Sequence, residues 1–273
     1  MKKFLAMTLV LCMVMSFAAC GAKEEVPATT AATEAAAETA ATEAATEAVT
    51  EAATEAATEA AAEAAAEAAE DVKVMTHEEF IAAEMDTEVT VETYIQAKQG
   101  WWEDAAIFYT QAEDGAYLLY KMACTEDEYN ALTEGTKIRV TGFKSEFKGE
   151  VEITDATFEI LDGSFVAEPV DLTESYADEA ALLAHQNEKV AFKGLTVEKI
   201  EYKNGEPGDD IYVTLGLNGT SLNFCVEVYL TGTDSEVYTA VGELAEGDVV
   251  DVEAYMYWYD GPNAHLTSVA KAN

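Results

Sequence analysis

The chain has 273 residues, enough for about two domains, and carries 15 Lys+Arg against 53 Asp+Glu, a formal charge of −38. The surplus is spread over the chain: residues 74–163 hold 6 basic and 20 acidic groups, and residues 164–273 hold 5 and 20. Nucleic-acid affinity rests on Lys and Arg displacing counterions, so this balance argues against a nucleic-acid partner whatever the fold.

Lys2 and Lys3 precede an uncharged, mostly apolar run from Phe4 to Ala19, then Cys20. A basic start, a short apolar core and small residues before a cut site describe an export signal, and the run is slightly short for a membrane span. Phe17-Ala18-Ala19-Cys20-Gly21 resembles the lipobox of bacterial lipoproteins, with Phe17 where leucine is usual. That resemblance implies acylation of Cys20 and a lipid anchor in the cell envelope, outside the cytoplasm. The alternative is a plain secretory signal in which Cys20 is incidental.

Residues 21–73 form a linker. From Ala22 to Asp71 there are 24 alanines, no glycine and no aromatic residue, and from Glu43 to Glu67 a glutamate recurs every fourth position. Without larger apolar side chains no core is possible, so the segment reads as a spacer. Alanine and glutamate favour helix, whereas threonines and like charges four apart oppose it. A full helix would span about 75 Å.

Residues 74–163 and 164–273 then show the same order of elements. In the first, a short helix over 77–84 precedes a strand in which Val89, Val91 and Ile95 share a face. Strands follow at 105–111 and 116–122, then a helix over 125–132 with Thr125 and Glu128 as a capping box. Glu134-Gly135 opens a fourth strand. A fifth, over 150–160, changes phase near Asp155, which predicts a bulge. In the second, residues 175–185 read as helix capped by Ser175, and residues 190–202 as a long strand. Strands at 211–217 and 222–230 are joined by Asn218-Gly219, a hairpin signal. A helix capped by Asp234 runs over 235–244, Glu246-Gly247 opens another strand, and the last covers 264–270.

The order strand, strand, strand, helix, strand, strand, with the EGTKIRVTG and EGDVVDV strings, resembles the OB-fold over residues 75–163 and 167–272. It implies a mainly β protein of two five-stranded Greek-key barrels, each with a short helix before strand four. Exported bacterial OB-fold proteins are similar in arrangement. A fold alone assigns no activity.

Chemical motifs are sparse. His77, His185 and His265 lie far apart and read as surface or helix-end residues; no cysteine stands at zinc-ligand spacing. Cys124 and Cys225 occupy non-equivalent places in the two repeats and are expected as unpaired thiols. Residues 204–210 offer oxygens for calcium, but turn chemistry explains the same letters. There is no phosphate-cradling loop, no nucleophile elbow and no cofactor motif.

Aromatic residues carry the site reading. OB-folds bind along strands two and three with the loops joining strands one to two and four to five. Trp101 and Trp102 fall in the first of these loops, with Phe143 and Phe147 near the second. In the second repeat Val250, Val252, Ala254, Met256 and Trp258 share the core-like face, leaving Tyr255, Tyr257 and Tyr259 outward as a platform. The competing reading buries these rings against loops or the neighbouring barrel. The expected function is therefore a non-catalytic binding module of the envelope, anchored through Cys20, with a glycan or an envelope protein as partner and no nucleic acid. A structural envelope component and a hydrolytic enzyme are the alternatives.

Overall fold

The computed structural model describes residues 73–272. The export signal, Cys20 and the linker through residue 72 lie outside the described residues.

A helix α1 (His77–Ala82) opens the first half, with Thr76 and Glu79 forming a capping box. It is followed by β1 (Glu88–Lys98), β2 (Ala105–Ala112), β3 (Gly115–Ala123), α2 (Glu126–Ala131), β4 (Thr136–Phe147) and β5 (Glu150–Ser164). The strands close in the order β1-β2-β3-β5-β4, with β4 returning to β1 and β3 parallel to β5. The Thr125–Glu128 box stands as its spacing predicts, at 3.3 Å and 2.8 Å. The bulge is present too: pairing between β4 and β5 steps from Thr141–Thr157 to Phe143–Thr154, and Asp155 takes a left-handed φ of 49°. Lys144, buried on β4, donates from Nζ to the carbonyls of Ile81 (2.7 Å) and Ala83 (2.9 Å), so it satisfies the free end of α1.

The second half holds β6 (Val170–Asp171), α3 (Glu179–Leu183), β7 (Lys189–Tyr202), β8 (Ile211–Leu217), β9 (Thr220–Val226), α4 (Val228–Thr231), α5 (Glu236–Gly242), β10 (Val249–Tyr255) and β11 (Asn263–Lys271). Its sheet runs β10-β11-β9-β8-β7-β6, and β10 also pairs with β7, which repeats the first barrel's connectivity. Asn218 and Gly219 supply the two positive φ values of the tight β8–β9 hairpin. Two helix starts differ from expectation. Asp178, not Ser175, caps α3, because a single 3-10 turn at Thr173–Ser175 intervenes; Ser235, not Asp234, caps α5. The strand expected to reach residue 230 stops at Val226, and α4 takes its place.

Each barrel has its own core. Phe80, Ile95, Phe108, Leu119, Met122 and Ile138 fill the first, and Phe192, Leu195, Phe224, Val226, Val241 and Leu266 are among those filling the second. A third apolar cluster joins the two: Tyr109 and Leu118 from the first barrel pack with Tyr255 from the second. Cys124 and Cys225 are both buried free thiols.

Candidate functional site: an aromatic hollow beside the barrel seam

The β1–β2 loop ends in a two-residue turn. Trp102 and Ala105 exchange backbone hydrogen bonds (2.9 and 3.1 Å), and Glu103 and Asp104 between them both have positive φ. Short polar chains such as Asp tolerate that geometry. The turn sends the two tryptophans to different places. Trp101 is half-buried on the first core, its Nε1 donating to the Cys124 carbonyl at 2.9 Å, whereas Trp102 stands 73% exposed.

Facing this loop is α4 of the second barrel. Its start is held by a remote carboxylate, Val228 N donating to Asp210 Oδ1 at 3.0 Å, and its Tyr229 carbonyl accepts from Gly100 N at 2.9 Å. Tyr229 is 68% exposed. Trp102 and Tyr229 are the two most exposed large apolar side chains among the described residues. They line one hollow of about 230 Å³ together with Gln99, Ile107 and Lys121. Lys121 forms no ion pair among the described residues, and its ammonium lies 5.4 Å from the Tyr120 ring. Exposed single rings are ordinary; two of them sharing a hollow with a free cation are not. Tyr229 escaped the sequence reading because it was placed within a strand. The signal that would have found it is Thr231-Gly232, where Gly232 has φ 83° and ends a helix.

The other aromatic candidates are not brought to this hollow. Tyr255 is a correction: it is 3% exposed and stacked on Tyr109 with ring centroids 4.6 Å apart, so it does not belong to an outward platform. The outward side of β10 at that point is covered by the first barrel. Tyr257 is half-buried and stacked on His265 at 4.3 Å. Tyr259 is exposed on a different rim, 6.0 Å from Phe147, with Lys148 Nζ 5.8 Å from its ring. Val250, Val252, Ala254, Met256 and Trp258 are all buried in the second core, as alternation predicts.

Histidine 265 is a second correction. It is buried rather than superficial, and its Nδ1 shares a 2.7 Å hydrogen bond with the Tyr109 hydroxyl. Burial pulls its pKa down to about 4. Burial also raises three carboxyls: Glu150 to about 8, and Glu152 and Glu227 to about 7. In the 204–210 loop, Asp209 and Asp210 hold the Lys203 ammonium (3.3 and 2.9 Å), and Asp209 also accepts from Asn204. Those carboxylates are therefore engaged by turn and ion-pair chemistry.

No protein-family model matches the chain. No curated protein matches it either. Solved structures do. A murine DNA-binding protein bound to double-stranded DNA is 13% identical, over 67% of this chain and 96% of that one, with a TM-score of 0.35. The Ifi202 HINa domain in complex with a 20-bp double-stranded DNA is 14% identical, over 69% and 98%, at 0.31. A replication protein A heterotrimer bound to single-stranded DNA is 15% identical, over 68% and 49%, at 0.27.

These matches correct two expectations. The exclusion of nucleic acid on net charge is withdrawn, because the similar solved structures include complexes with double- and single-stranded DNA. The expectation of an envelope module for a glycan or an envelope protein is set aside on the same finding. Net charge describes the average surface, whereas binding depends on the local surface that meets the ligand.

Proposed function

We propose that this chain is a non-catalytic binding protein that takes single-stranded nucleic acid by stacking bases on Trp102 and Tyr229. The observation that carries the reading is the pairing of these two rings, the most exposed large apolar side chains among the described residues, around one hollow with Lys121. Every base has a flat face, and base–aromatic stacking contributes about 1–3 kcal/mol per base without demanding a sequence. Lys121 is placed to meet a backbone phosphate. The contact is base-led, because the surrounding surface is acidic and offers few other cations.

The reading has a distinctive salt dependence. With one phosphate contact the counterion-release slope is only about −0.7, and added salt also screens the repulsion from the acidic surface. Affinity for an oligothymidylate, followed by tryptophan fluorescence, is therefore expected to stay flat or rise with moderate salt. Trp102→Ala and Tyr229→Ala are each expected to weaken binding roughly five- to 150-fold, the equivalent of that stacking energy, with an unchanged melting transition. Absence of binding by the wild-type protein, or wild-type affinity in both variants, sinks the reading. The acid surplus on both barrels favours a second reading, a cationic protein partner. That reading requires binding to a basic polypeptide that is lost steeply as salt rises, and indifference to Trp102 and Tyr229.

We also infer, from Lys2, Lys3, the apolar run and the small residues before Cys20, that the chain is exported and acylated at Cys20, which places the barrels outside the cytoplasm. Multiple acyl chains hold a protein at a bilayer, each buried methylene contributing about 0.8 kcal/mol. Cys20→Ala is expected to release the exported protein from membranes and to remove the lipid mass. Retention of both mass and membrane association in that variant overturns the inference.

A further inference from the structure

The turn between β4 and β5 and the start of β5 tie the first barrel to the second. Gln186 Nε2 donates to the Gly149 carbonyl at 2.8 Å, and its Oε1 accepts from Val151 N at 3.2 Å. Asn187 Nδ2 donates to the Val151 carbonyl at 3.2 Å, and Trp258 N donates to Glu150 Oε2 at 2.8 Å. Glu150 is 0% exposed within this seam. Its second oxygen, Oε1, is buried without a partner, and so is Asn187 Oδ1. The neutral donors of Trp258 and Asn187 favour the charged carboxyl, but less than burial opposes it.

The groups facing Glu150 offer no positive charge. Glu152 on the same strand, Tyr109 on β2 and Tyr257 after β10 are its titratable neighbours. Lys148, two residues away, is exposed and paired with Asp260 at 2.8 Å. An ionised carboxylate here is a buried charge with no counter-ion, and the seam also holds a second buried acceptor that lacks a donor, Asn187 Oδ1. Both are costly arrangements. One proton on Oε1 removes the charge and turns a buried acceptor that lacks a partner into a donor.

We propose that Glu150 is carried as the neutral acid and that its carboxyl proton is a structural part of the barrel–barrel seam, which loosens once that proton is lost. The raised value of about 8 agrees with this, burial being its first cause. The folded value lies above the ordinary 4.5, so the folded state holds the proton more tightly. This contribution is complete below about pH 4.5 and is lost as pH rises through about 8. Glu152 and Glu227 behave in the same sense but have released most of their contribution by about pH 7. Between pH 7 and 8 Glu150 is the principal buried carboxyl still changing, and the ratio of folded to unfolded protein is expected to fall about fivefold from it.

The test compares urea unfolding of the full chain and of Glu150→Gln at pH 6, 7 and 8. Glutamine keeps an acceptor for Trp258 N and carries a permanent donor. The variant is expected to remain folded, to lack the fivefold loss between pH 7 and 8, and to lose intensity in the protonated-carboxyl infrared band at pH 6. Identical pH dependence in the two proteins, with an unchanged band, overturns the proposal. If the glutamine variant does not fold, the wild-type protein decides. Small-angle scattering is then expected to give a larger radius at pH 9 than at pH 6, and the carboxyl band to disappear with it. A constant radius overturns the proposal.

Discussion

Replacing Tyr109 with alanine is expected to destabilise the protein by about 3–5 kcal/mol, the usual cost of truncating a fully buried aromatic. Tyr109 has no exposed surface, stacks on Tyr255 across the two barrels, and shares its hydroxyl hydrogen bond with His265. Three losses therefore coincide: the burial of the ring, the stacking contact, and the partner of a buried imidazole. Tyr109→Phe separates them, since it keeps the ring and removes only the hydroxyl. Leaving one buried polar atom unpaired costs about 1–3 kcal/mol, so the phenylalanine variant is expected to lie between wild type and alanine. Urea midpoints at constant slope give both values. An alanine variant within about 1 kcal/mol of wild type would show that the barrels do not depend on this joint.

The second large effect is an acid-side loss of stability from His265. Its folded pKa of about 4 lies below the ordinary 6.5, because burial disfavours the imidazolium. Between those values the unfolded chain takes up a proton that the folded chain refuses. The contribution is therefore complete above about pH 6.5 and is lost as pH falls through about 4, to a total of about 3 kcal/mol. Glu150, Glu152 and Glu227 act in the opposite sense over the same range, since their folded values are raised. The readable quantity is the difference between wild type and His265→Gln, measured by chemical unfolding at pH 7, 5.5 and 4. That difference is expected to shrink or reverse as pH falls; parallel profiles would remove His265 from the account.

Much of the fold was legible from local chemistry. The alternation in β1 and β10, the Thr125–Glu128 box, the Asn218-Gly219 hairpin and the phase change at Asp155 are each set by residues within a few positions of one another. The repeat of these signals in the same order made the pair of barrels readable, because each barrel closes on its own hydrophobic pattern. The α4 helix was missed for a related reason. Residues 222–230 alternate well enough for a strand, and the remote Asp210 carboxylate that holds Val228 is invisible in that window.

The candidate sites divide along the same line. Sequence alone determined that Trp102 stands on a β1–β2 loop, that Val250 through Trp258 present a core face, and that the chain carries a strongly acidic surface. It did not determine which aromatics are outward, because alternation distinguishes the two faces of a strand but not whether a neighbour covers the second face. Tertiary structure decided that. The first barrel covers Tyr255, His265 of the second barrel stacks on Tyr257, Tyr259 stands on another rim, and packing of the barrels brings Tyr229 to Trp102 across the seam. The pKa values of Glu150 and His265 were decided there as well. Burial, the first cause of both shifts, is decided by packing, which sets distant parts of the chain around each group: Trp258 N bonds to Glu150, and the Tyr109 hydroxyl to His265, each more than a hundred positions away.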